Sequence, residues 1–229
     1  MKEKLDYKTL RLFPYVIFSM LFAIMISMLS PLAMLFVTRS FNDTSMYQMN
    51  NSLFMLCYLF TYLSIVGILS CLYHMTMITK WFGAACNILG GYIIAQAVVY
   101  VLKWIGTFKG IPDGYKYFML IMKLIPTACL MMMIVFVLHG AAEVYGEIDK
   151  KKSRTACLKL EVHMIAAFAT QMMLNIILSV EPSSTKFTIF YGVLIGIIYL
   201  FNISMMFIFY MRIKLFCYDY YLYSYNNQL

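Results

Sequence analysis

An all-α bundle of membrane-spanning helices is the fold class this sequence predicts. Three observations predict it: the composition, a series of long apolar runs, and a one-sided distribution of positive charge. Of 229 residues, 63% are hydrophobic and 12% charged, with a mean hydropathy of +0.79. A soluble domain is about half apolar and about a quarter charged. The excess apolar surface has no aqueous core to enter, so lipid is the solvent it fits.

Apolar runs of about 18 or more residues with few or no charges are candidates for spanning helices. The chain holds six, at about 12–37, 52–78, 82–102, 117–138, 162–180 and 187–210. Helices are predicted because lipid cannot satisfy open backbone N–H and C=O groups, and the runs lack the alternation of barrel strands. The polar segments between the runs are too short to fold alone, so residues 1–229 read as a single transmembrane domain. The first run reaches Val37, far longer than the apolar stretch of a signal peptide, which makes it an uncleaved first helix. Loop lengths run long–short, then long–short, as in two three-helix halves of opposite topology, although the halves share no residue-level similarity.

Orientation follows from lysine and arginine. With the N-terminus inside, twelve of the 18 fall on the cytoplasmic side, five outside, and Lys123 within a span. By the positive-inside rule both termini are cytoplasmic. Trp81, Trp104, Tyr115, Tyr117 and Tyr210 sit at span ends, where amphipathic rings anchor a helix at the interface. The residue usage, rich in Lys, Ile, Asn and Tyr, points to an AT-rich bacterial genome and hence a plasma membrane. The formal net charge of +8 lies at helix ends. It therefore suits anionic headgroups, and nucleic acid is not an expected partner. The six cysteines form no C-x-x-C pair and read as free thiols. The tail 216–225 carries six aromatics and reads as a short helix at the headgroups.

No acidic residue lies within a span, which argues against carriers built on an intramembrane carboxylate. Lys123 is the one residue there that is charged at neutral pH. It lies near enough to the outer end to snorkel, and Pro126, three residues on, frees a backbone carbonyl and favours a kink. With Gln171 and Asn175, four apart on one face, and Asn202, these residues form the candidate substrate path. The competing reading is plain interhelical hydrogen bonding, at about 0.6 kcal/mol per contact. Gly192 and Gly196 form a G-x-x-x-G that lets another backbone approach, from this chain or from a second copy in a homodimer. The pair Gly90–Gly91 suggests close packing or a flexible point.

His74, His139 and His163 fall near cytoplasmic helix ends, within the reach of the longest polar segment, 139–161, or of the short second loop. His139, Glu143 and Glu147 recur every four residues and line one face if the fourth helix continues into the cytosol. His139, Glu143 and His163 are the weak metal candidates, but H-E-x-x-H is absent and no metal or other cofactor is expected. Nor is there a G-x-S-x-G, a Walker A sequence or a G-x-G-x-x-G, so an enzyme is not the first expectation. The expectation is a permease-like or transport-complex subunit without its own ATPase. It would dock on a cytoplasmic ATPase or another membrane subunit through residues 74–81 and the basic N-terminus. The alternative is a non-transporting membrane sensor or interaction module. The third reading is an intramembrane enzyme built on the cytoplasmic His and Glu residues.

Overall fold

The computed structural model describes residues 7–37, 44–108, 113–179 and 185–226, with side chains chiefly over 7–26, 59–99, 124–173 and 196–226. Among the described residues there are six helices and no strand: α1 (Tyr7–Val37), α2 (Thr44–Met75), α3 (Lys80–Phe108), α4 (Asp113–Glu147), α5 (Lys151–Ser179) and α6 (Thr185–Asn226). The first, third, fourth and sixth expected spans each lie within one helix, and the fifth does up to Ser179, with Val180 outside the described residues; the second ends early, where 76–78 form a turn that the Ile78 N–H closes on the Met75 carbonyl at 2.9 Å. Four segments are long and apolar enough to cross a membrane: Tyr7–Ile26, Lys80–Val99, Leu124–Glu147 and Gly196–Asn226. Leu59–Met75 is apolar but shorter among the described residues.

Two stretches expected outside the helices are helical. The polar segment 139–161 shrinks to a turn at 148–150, because nothing in His139–Glu147 or Lys151–Glu161 breaks a helix. The turn is a Schellman motif. The Lys150 N–H reaches the Tyr145 carbonyl at 3.0 Å, the Asp149 N–H reaches the Gly146 carbonyl at 3.4 Å, and Asp149 takes the left-handed conformation at φ 55°. The aromatic tail is likewise no separate helix. With neither Pro nor Gly after Gly196, α6 continues unbroken to Asn226.

The helices gather into two compact units, one of Met1–His74 with Val193–Leu229 and the other of Met75–Gly192. This grouping does not follow the division into two consecutive three-helix halves. In the first unit α1 buries Phe13, Ile17 and Met20, α2 buries Ile65, Ile68 and Leu72, and α6 buries Phe209, Ile213 and Phe216. Each set recurs at three- and four-residue steps, the spacing of one helix face. Gly67 of α2 lies against Val16 of α1 so closely that an added Cβ would sit 2.7 Å from Val16 Cγ1. Beside it, Ser64 Oγ shares a hydrogen bond with Ser19 Oγ at 2.9 Å.

In the second unit α4 packs on both α3 and α5. It buries Ile134, Leu138, Ala141 and Tyr145 along one stripe, with Phe82, Ala85 and Leu89 of α3 and Cys157, Leu160 and Met164 of α5 also in the core. Gly140 gives α4 its close approach to α3, where an added Cβ would lie 3.1 Å from both Phe82 Cε1 and Thr79 Cγ2. At Gly90, Gly91 and Gly196, by contrast, an added Cβ meets nothing within 4 Å among the described residues.

The faces turned away from these cores are also apolar. Leu63, Ile94 and Leu200 are 61%, 67% and 66% exposed, and Leu59, Val66, Val98, Ile197 and Phe207 are exposed with them. Leaving one such side chain in water forfeits about 1.5–3 kcal/mol. Summed over eight such side chains, the loss is comparable to the roughly 5–15 kcal/mol that holds a typical domain together. Helices apolar on every face suit a lipid surround.

Candidate functional site

The polar groups of the second unit concentrate where α3 begins, α4 ends and α5 takes over. Thr79 is the N-cap of α3: its Oγ1 accepts the Trp81 N–H at 3.3 Å, satisfying one of the donors that every helix start leaves open. The same hydroxyl donates to Glu143 on α4. One threonine thus ends the turn and ties it to the neighbouring helix.

One turn back along α4, His139 joins the other two helices. Its Nδ1 lies 3.2 Å from Glu161 Oε2 on α5. An ionised carboxylate can only accept, so the bond has Nδ1 as its donor. The indole of Trp81 meets the imidazole edge-on at 4.4 Å between centroids, and Lys80 Nζ sits 5.6 Å from the indole centroid. The His139 and Glu161 side chains are 38% and 18% exposed. Solvent screening therefore limits their pairing to the about 0.2–1 kcal/mol of surface ion pairs, and its effect is chiefly to fix orientation. Arg154 lies along Gly146 on the other side of the α4–α5 turn.

The three weak metal candidates, His139, Glu143 and His163, each engage a different partner. Glu143 is engaged by Thr79, His139 by Glu161, and His163 donates from Nδ1 to the Lys159 carbonyl at 2.6 Å on its own helix. Among the described residues no group of three or more His, Cys, Asp or Glu is placed to hold an ion. Five cysteines, Cys71, Cys86, Cys129, Cys157 and Cys217, are free thiols.

Of the candidate substrate path, Pro126 lies inside an uninterrupted α4 and is buried, and Gln171 of α5 is buried in the same unit. Asn202 is buried within the other unit. The side chains of Lys123, Asn175 and Gly192's immediate surroundings lie outside the described residues. Thr79 and Glu161 carry the observed network; the sequence places Glu161 near His139 and Glu143 as a possible ligand, and gives Thr79 no role. The signal for Thr79 was there: a threonine directly before an apolar helical run is an N-cap pattern. The pairing of Glu161 with His139, 22 residues earlier, has no local signature.

No protein-family model matches this chain, and neither a curated protein nor a solved structure matches it. Fold and site together define its class as an all-α protein with four segments long and apolar enough to cross a membrane.

Proposed function

We propose that this chain is an integral membrane protein of six spans with both termini in the cytoplasm. In this reading it is a permease-like subunit of a transport complex that carries no ATPase of its own and docks on one through the turn between α2 and α3. The observation that carries the reading is the bracing of that turn. Thr79 bonds to Glu143, Trp81 packs on His139, and His139 pairs with Glu161, so three helix ends are linked behind a four-residue turn. In front of it Met77 and Lys80 are exposed. A short, rigid, exposed turn is what transmitting a partner's movement into helices requires, because a slack loop would absorb the displacement. The one-sided lysine and arginine count supports placing this turn in the cytoplasm.

A photo-crosslinking residue at Met77, used in cells making the full chain, tests the reading. The expected product is a covalent adduct with a soluble protein that carries a Walker A sequence and hydrolyses ATP. An adduct confined to partners without a nucleotide site, or none at all, overturns it.

A second reading, a non-transporting sensor or interaction module, draws on α6. Its 42 residues rise about 63 Å at about 1.5 Å each, roughly twice a hydrocarbon core of about 30 Å. Helix beyond the span is what an output connector needs, and an adduct with a kinase or regulator at Met77 favours it.

A further inference from the structure

The first unit contains a cleft of about 190 Å³ between the start of α1 and the far end of α6. Its walls follow one face of each helix. Tyr7, Arg11, Pro14 and Tyr15 recur at helical spacing on α1, and Tyr210, Lys214, Cys217, Tyr218 and Tyr221 do so on α6. Tyr7 closes on Tyr221 at 4.5 Å between ring centroids. The floor is buried and apolar, with Leu10, Pro14 and Cys217. Arg11 and Lys214 stand exposed at the wall, and none of the lining residues is a carboxylate. Among the described residues, two positive charges thus share one small volume without a negative counterpart in its lining.

We propose that this cleft binds a phosphate ester, supplied by the headgroup of an anionic membrane phospholipid. Arg11 offers a planar fork of donors matched to phosphate oxygens and Lys214 a point charge, while the surrounding tyrosine hydroxyls can donate as well. Size narrows the choice. Sites for drug-sized ligands run from about 300 Å³ upward, so this cleft admits a glycerol-phosphate fragment but not a nucleotide. The surroundings favour a lipid over free phosphate. On α1 the cleft face continues into Phe18 and Phe22, both exposed and stacked at 6.0 Å, which gives an acyl chain an apolar track beginning at the cleft. The site rests on the membrane reading above, though not on the ATPase partner.

The test uses the purified full chain in detergent, with bound lipid counted by native mass spectrometry after exposure to phosphatidylglycerol or phosphatidylcholine. Phosphatidylglycerol should be retained about tenfold better, equivalent to about 1.4 kcal/mol. Arg11→Gln with Lys214→Gln should abolish the preference, and Arg11→Lys with Lys214→Arg should keep it. Lys152→Gln with Lys159→Gln, an equal loss of charge elsewhere, should leave it intact. Equal retention of the two lipids, or a preference that survives the first double variant, overturns the site. Displacement of phosphatidylglycerol by millimolar inorganic phosphate would reassign the site to a soluble phosphate ester and overturn the lipid source. An alkaline carbonate wash of membranes checks the underlying reading separately: a chain released by the wash is not integral, whatever lipid it prefers.

Discussion

Thr79 concentrates two roles in one hydroxyl, since it caps α3 and donates to Glu143. Removing an N-cap oxygen costs about 0.5–2 kcal/mol, and here it also removes the donor to Glu143. Thr79→Val keeps shape and bulk while deleting the oxygen. It should lower the thermal unfolding midpoint of the solubilised chain by several degrees, since about 1 kcal/mol moves a chain of this size by about 2–4 °C. Thr79→Ser should retain most of the midpoint. Equal midpoints for Thr79→Val and the native chain would remove the energetic basis for a braced turn. Glycines separate in the same way at this scale. Gly67 and Gly140 are required by the close approach of Val16 and of Phe82, whereas at Gly196 an added Cβ meets nothing within 4 Å among the described residues.

That open position defines the prediction for α6. Helix interiors disfavour glycine by about 0.5–1 kcal/mol relative to alanine, and among the described residues no close contact at Gly196 offsets this. If the face of Gly192 and Gly196 is used between two copies, Gly196→Ile should weaken self-association in a membrane two-hybrid or energy-transfer assay. Unchanged association would leave that face to lipid. The rest of α6 shows how an element outgrows its expected span. An apolar run ends near Tyr210, yet the helix runs on to Asn226 because Phe216 and Cys217 remain buried and Tyr221 packs on Tyr7. The α4–α5 connection behaves alike, since its polar residues changed the solvent-facing chemistry without breaking either helix.

For the whole molecule the testable quantity is topology. Twelve lysines and arginines on one side against five on the other predict cytoplasmic readings for reporters fused at Lys152 and after the last residue, and an external reading at Asn42, which lies outside the described residues. A reporter at Lys152 that reads external would invert the orientation and put the braced turn out of an ATPase's reach. Fusing at Lys152 is tolerable because its side chain is exposed in the first turn of α5.

The helical class, the six apolar runs and the charge bias were legible in the sequence because each is a local sum: hydropathy and charge depend on which residues occur within a window, not on what they meet. Helix ends were less legible, because a polar residue such as Glu143 reads as loop until a partner such as Thr79 is there to receive it. Partners were not legible at all. The link between His139 and Glu161, the seat of Val16 on Gly67, and the shared cleft of Arg11 and Lys214 join residues between 22 and 203 positions apart. No window of sequence holds both members of such a pair. Which face of an all-apolar helix turns to a neighbour and which to lipid is decided by steric fit between helices, and that exists only in the tertiary structure.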